Sequence, residues 1–307
     1  MRHVLVLGVP RSGTTWIGES LGRCEQTVYV HEPDGVHEPF AFRARTTLPV
    51  GGILAPGAKV GEYEQLWEGA FKGGVKAATL RDHAARRLYA GVPAAHRARF
   101  RNGGRRTPRL ALANSLALPR VAASESRNVV VKSVDAALTA EWVFDRFRPE
   151  VIVVRRDLRS VLASWITLDM RGPQGRNYEA LRSLAQQRWD VALPEFEAPL
   201  IVRSAAVCSI WSVALHDAAR RHGWMQLRYE DVAVDGARAL HAAADQVGLT
   251  WGARADAYVQ ERNREGTGYA TSRVAGSTID TWKSKLTHEQ IEAIETVIGC
   301  FPEELRT

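Results

Sequence analysis

The chain has 307 residues, 45% of them hydrophobic and 24% charged, which is an ordinary globular composition and excludes bulk disorder. Its net charge of +7 favours an acidic partner, although basic balance alone does not separate a small anion from nucleic acid. The nine tryptophans form no repeated stacking pattern, and no nucleic-acid motif appears.

Read from the N-terminus, residues 3–7 form a short β-branched and aliphatic strand that leads into a helix running through Gly22. A second short strand is expected at 27–30 and ends in HEPDGVHEPF. Pro49, Gly51, Gly52, Pro56, Gly57 and Gly61 mark 46–61 as loop. Helical patterns follow at 62–72 and 77–90, then the Arg-rich stretch 96–109 and a helix over 110–124. Strands at 128–132, 151–154 and 225–229 alternate with helices at 136–147, 158–169, 177–192 and 199–222. Helices at 236–247, 253–264 and 287–299 complete the chain. This alternation predicts a three-layer α/β fold, with a central parallel sheet and helices on both faces. No repeat or linker divides it, so one domain over 1–307 is expected, with 43–125 as a helical and loop insertion that forms an acceptor site or lid.

The first turn carries the sharpest signal. Strand, glycine-containing loop and helix N-terminus together make an anion site, because loop N–H groups converge where the helix dipole favours negative charge. Gly8 and Gly13 have the spacing of a Walker A loop, but Thr14 stands where that motif has its Lys, and the positive charge lies inside the loop at Arg11. The run Arg11-Ser12-Gly13-Thr14-Thr15-Trp16 resembles the 5′-phosphosulfate loop of sulfotransferases that use 3′-phosphoadenosine-5′-phosphosulfate (PAPS). A second stretch, RRDLRSVLASW after strand 151–154, is similar to their 3′-phosphate motif, with Arg156 and Ser164 at its spacing and Asp157 and Arg159 between them. Arg at a helix start opposes the dipole unless an anion is present. LRYEDV at 227–232 resembles a segment that ends the last strand in bacterial members, and most of its residues read as strand and turn without a ligand role. RVAGSTIDTW at 273–282 is similar to the loop that closes over the nucleotide, with Arg273 and Gly276 as partial counterparts of an Arg-Lys-Gly triplet.

The resemblance implies a P-loop NTPase-like fold of bacterial type and sulfuryl transfer from PAPS to a hydroxyl or amine of a small-molecule, glycan or lipid acceptor, with PAP as product. It implies no metal, and strand 128–132 ends in Lys132 where a metal-holding Asp would stand. Arg11, Ser12, Gly13, Thr14, Thr15 and Trp16 would hold the 5′-phosphosulfate, and Arg156 and Ser164 the 3′-phosphate. Cytosolic members place a catalytic His two residues after a Lys-Thr pair; here the run is Lys132-Ser133-Val134. Carbohydrate members use a Glu just after the second strand, and Glu32-Pro33 is similar to their pattern. Glu32 thus reads as the general base, as a turn carboxylate or as a salt-bridge partner of Arg11, with His31, His37, Glu38 and Asp135 as alternative bases. Lys132 would orient the sulfonate or the acceptor. A P-loop small-molecule kinase or NTPase, and a non-catalytic nucleotide- or glycan-binding protein, are the competing readings.

Two further features are open on sequence alone. Arg97, Arg99, Arg101, Arg105, Arg106 and Arg109 form either a mobile lid that attracts an anionic acceptor or, as is commoner for such runs, a solvated or disordered loop. Tyr63, Trp67 and Phe71 at helical spacing would line an acceptor pocket or, more commonly, a buried stripe. Cys24, Cys208 and Cys300 are odd in number and fit no metal spacing, which suggests a reducing compartment. The chain opens directly on its first strand, and its apolar runs fall short of a membrane span, so a cytoplasmic location is expected. Its Ala- and Arg-rich composition suggests a bacterium of high genomic GC.

Overall fold

The structure is a computed structural model that describes residues 1–74, 79–101, 104–118, 127–173, 175–262 and 279–306. In chain order the first half runs β1 (His3–Gly8), α1 (Thr14–Leu21), β2 (Thr27–His31), α2 (Pro39–Arg45), α3 (Gly61–Phe71), α4 (Leu80–Ala90), α5 (Ala94–Arg101), α6 (Pro108–Leu116) and β3 (Asn128–Ser133). The second half is α7 (Ala140–Phe147), β4 (Glu150–Arg155), α8 (Leu158–Thr167), α9 (Arg176–Trp189), α10 (Leu200–His222), β5 (Met225–Arg228), α11 (Tyr229–Val234), α12 (Gly236–Gln246), α13 (Ala253–Arg262), α14 (Trp282–Lys285) and α15 (His288–Gly299).

The five strands form one sheet in the order β2-β3-β1-β4-β5, and every neighbouring pair is parallel. Each strand is a near-continuous apolar run because both its faces are covered. Leu5, Leu7, Val129, Val131, Val151 and Val153 bury against α2, α3, α7 and α10. The alternate residues Val4, Val6, Val130, Ile152 and Val154 bury against α1, α12 and α13. This is the three-layer α/β fold expected from the alternation of elements.

Register brings the strand ends together. His31 pairs with Lys132, Leu7 with Ser133, Gly8 with Val154, and Arg155 with Arg228. The residues that follow each strand therefore emerge along one edge, which is where open α/β sheets bind ligands.

Three expectations need correction. The Arg-rich stretch is not simply loop: Ala94–Arg101 is helix α5, held by Arg97, which donates to the carbonyls of Tyr89 (3.3 Å) and Val92 (2.6 Å). A small apolar cluster of Phe42, Tyr89, Val92, Leu110 and Ala113 repays its order. Leu200–His222 is long and apolar enough to span a membrane, contrary to the reading of the apolar runs, and 67% of its apolar window is buried inside the fold. Finally, helix α11 forms where LRYEDV reads as strand and turn, and α2 occupies 39–45, a stretch to which the sequence assigns no element; Pro39 at the first position of α2 needs no N–H partner there. Tyr63, Trp67 and Phe71 are buried, so that stripe is core.

Candidate active site

The loop after β1 turns sharply. Arg11 has φ 75° and Gly13 φ 94°, both left-handed, and the Ser12 N–H donates to the Val9 carbonyl at 3.1 Å. Arg11 is an L-residue in a conformation that costs energy, so contacts must hold it. They do. Its Nε donates to Ser164 Oγ on α8 at 3.0 Å, and its carbonyl accepts from Arg156 at 2.9 Å. Trp165 Nε1 donates to the Pro10 carbonyl at 3.1 Å. Residues from the two motifs, more than 140 positions apart in sequence, thus close on one loop.

Gly13 is required on two counts. Its φ excludes most side chains, and a Cβ would run into the Tyr229 ring. The same ring lies under the Arg156 guanidinium at 4.1 Å and edge-on to Trp16. Glu230 accepts from the Asp157 N–H at 3.0 Å at the start of α8. So Tyr229 and Glu230 of LRYEDV, a segment read on sequence mostly as strand and turn, brace both motifs. Its signal was visible in the resemblance, but only the packing shows what it touches. Arg159 is occupied otherwise. It pairs with Asp157 (2.7 Å) and Glu295 (3.0 Å) and lies over Trp282 (4.2 Å), which fixes α8 to α14 and α15.

The loop suits an anion. Ser12 is fully buried, and its Oγ finds no hydrogen-bond partner among the described residues. A buried hydroxyl left unmatched costs about 1–3 kcal/mol, which an oxyanion at the loop would recover. Thr14 is buried and Thr15 half-buried at the start of α1, where the dipole and free N–H groups add to Arg11.

A second group of polar side chains lies along the same edge. Glu32 directly follows β2, with left-handed φ 41°, and its N–H donates to the Lys132 carbonyl at 2.8 Å. Its carboxylate pairs with the Lys132 ammonium, whose side chain is 2% exposed. The partner of Glu32 is thus Lys132, not the Arg11 considered on sequence. His31 Nε2 lies 3.8 Å from the other carboxylate oxygen, and His31 Nδ1 shares a hydrogen bond with Tyr29 at 2.9 Å. Burial, then the Lys132 ammonium, holds His31 below the ordinary histidine pKa. Gly18 of α1 makes this arrangement possible: a Cβ there would stand 3.1 Å from both Lys132 Cβ and Tyr29 Cε2.

Of the alternative bases, Glu38 pairs with Arg86, Asp135 pairs with Arg45 at 2.7 Å, and His37 is exposed. Asp34, which sequence reading passed over, is fully buried and accepts from Ser133 Oγ at 2.7 Å and from the Tyr63 hydroxyl at 3.4 Å. Burial, reinforced by Asp135, pushes its carboxyl up to about 6. Its only sequence signal is its place beside Glu32-Pro33. Arg273 and Gly276 lie outside the described residues. Among the described residues, no three His, Cys, Asp or Glu side chains gather as a metal site.

The structure is an open parallel α/β protein with an arginine-bearing glycine loop at the carboxyl edge of its sheet. No family model and no curated protein matches the sequence. Among solved structures, the chain is similar to the sulfotransferase domain from the curacin biosynthetic pathway (14% identity, TM-score 0.47, covering 98% of this chain and 99% of that one). It is also similar to the sulfotransferase domain of the Synechococcus PCC 7002 olefin synthase (14%, 0.48, covering 96% and 94%). A third is sulfotransferase STF9 from Mycobacterium avium (13%, 0.41, covering 97% and 75%).

Proposed function

We propose that the protein is a PAPS-dependent sulfotransferase. The observation that carries this reading is the closure of both motifs on one loop: Arg11 on Ser164, and Arg156 on the Arg11 carbonyl. A nucleoside with anionic groups at both its 5′ and 3′ positions is the ligand that would engage both. When bound, PAPS supplies a sulfuryl group already activated on a phosphate leaving group. Arg11, Ser12, Gly13, Thr14, Thr15 and Trp16 hold that end, and Arg156 and Ser164 the 3′-phosphate. Arg11 and the loop N–H groups offset the charge that grows on the departing oxygen. Glu32 takes the proton from the acceptor hydroxyl or amine as its new bond to sulfur forms and the bond from sulfur to the departing phosphate oxygen breaks, and Lys132, paired with the Glu32 carboxylate, orients it until then. No magnesium pair is invoked; activity abolished by EDTA and restored by Mg²⁺ would move the protein to the kinase reading.

Calorimetry with PAP and ADP tests the assignment. PAP binds more tightly than ADP if the 3′-phosphate is engaged; equal affinities would sink it. Arg156→Ala should cost PAP binding about 1.5–3 kcal/mol, the range of a charge-assisted hydrogen bond. It should cost ADP less, and not zero, because Arg156 also braces the loop through the Arg11 carbonyl. An equal loss for both nucleotides would reduce Arg156 to a brace.

A further inference from the structure

The positive charge of this chain is concentrated in one place. Residues 80–116 contain nine arginines, no lysine and one acid, Asp82, for a net +8. The whole chain carries +7, so everything outside this segment sums to −1. Clustered like charge opposes the fold that carries it unless a counter-charge lies upon it.

Six of these arginines are exposed: Arg81, Arg87, Arg99, Arg105, Arg106 and Arg109. The contacts that hold three of them leave their charge intact. Arg81 donates to the carbonyls of Ser115 (2.8 Å) and Leu116 (3.2 Å), and Arg109 to that of Leu88 (3.0 Å). Arg106 lies over the Phe100 ring at 4.8 Å. Among the described residues, the ion pairs of this unit belong to Arg86, with Glu38 and Asp82, and neutralise none of the six. The unit adjoins the loop that carries Glu32, since Arg86 pairs with Glu38 and the Tyr89 hydroxyl donates to the Val36 carbonyl.

We propose that α4–α6 is a docking surface for a polyanionic acceptor, an acidic polysaccharide whose carboxylate or sulfate groups lie on these arginines while one of its hydroxyls or amines is presented to Glu32. The acceptor role rests on the sulfotransferase reading; the surface itself does not. Guanidinium forks match planar and tetrahedral oxyanions in two-point contact. Nucleic acid is disfavoured because its bases find no platform: Tyr89 is buried, and Phe100 is covered by Phe42 and Arg106.

Among the described residues, the side chains of Arg87, Arg99 and Arg105 make no hydrogen bond or ion pair, so the triple variant Arg87→Ala/Arg99→Ala/Arg105→Ala removes charge without breaking a polar contact. Binding is read by calorimetry with dextran sulfate, carboxymethyl dextran, neutral dextran, single-stranded RNA and phosphatidylserine vesicles, each at low and high salt. Wild-type protein should bind the two acidic dextrans, which separate sulfate from carboxylate recognition, and not the neutral one. The triple variant should bind them about tenfold or more weakly at ~50 mM salt and with a shallower salt slope. Its melting temperature should not fall, and a control triple, Lys59→Ala/Arg254→Ala/Lys285→Ala, should bind like wild type. Unchanged binding by the arginine variant would overturn the proposal, as would capture by RNA or vesicles without the acidic dextrans. PAP titrated in parallel separates the two readings: dextran sulfate binding through these arginines without PAP binding keeps the surface and overturns its role as an acceptor site.

Discussion

Glu32 and Lys132 hold opposite charges together at the mouth of the sheet, and the ammonium is almost wholly buried. A buried charge without its partner is costly, so Glu32 has a structural duty besides the proposed catalytic one. Glu32→Gln should lower kcat by ~10²–10⁴-fold, the contribution of a positioned base. It should also lower stability, because Lys132 loses its counter-charge. Glu32→Gln/Lys132→Met should recover stability without recovering activity, as steady-state rates and urea midpoints would show. Activity within a few-fold of wild type in Glu32→Gln would exclude Glu32 as base and turn attention to His31, whose ring is nearest. The left-handed backbone at both Arg11 and Glu32 fits sites where a side chain must be aimed rather than merely accommodated.

At the scale of elements, α1 does two jobs. Its N-terminus faces the anion loop, and Gly18 lets its flank lie directly on Lys132 and Tyr29. Alanine is the better helix former by about 1 kcal/mol, which would favour Gly18→Ala if there were room. The contacts at 3.1 Å are to a Cβ fixed by its strand and to a ring edge. Overpacking of that kind costs ~1–3 kcal/mol, so the variant should be destabilised on balance, and Lys132 should shift relative to Glu32. A lower urea midpoint with reduced kcat is the expected result; a rise in stability would show that α1 moves away freely. Helix α5 teaches a related point. Its composition reads as a solvated run, yet Arg97 ties it to two carbonyls of the neighbouring turn.

At the scale of the molecule, the buried polar cluster of Asp34, Ser133 and Tyr63 joins β3 to the helices inserted after β2. Asp34 has its carboxyl raised to about 6, above the ordinary 3.8. The folded state therefore favours the protonated form. Its contribution to stability is fully present below about pH 4 and is lost as pH rises through 6. Asp34→Asn keeps the shape and removes this titration. Urea midpoints measured from pH 4 to 7.5 should fall with rising pH more steeply in wild type than in the variant; parallel curves would show that Asp34 is ionised throughout. The +7 charge also takes on a different meaning at this scale. On sequence it pointed only to an acidic partner, but the inserted helices carry the excess and the rest of the chain is close to neutral.

Local patterns determined the parallel sheet, its covering helices and the glycine loop after β1, because apolar strands, glycine spacing and the order of elements are properties of short stretches. They also supplied Arg11, Arg156, Ser164 and Glu32 as candidates. The sequence did not say that Glu32 pairs with Lys132 rather than Arg11, that Tyr229 lies against both Gly13 and Arg156, or that Asp34 is buried. Those facts depend on strand order and register, which place residues a hundred or more positions apart on one edge. Charge followed the same rule. Its total and its concentration in 80–116 were legible from composition, but which of those arginines bond to carbonyls, which pair with acids and which face water was settled by tertiary contacts.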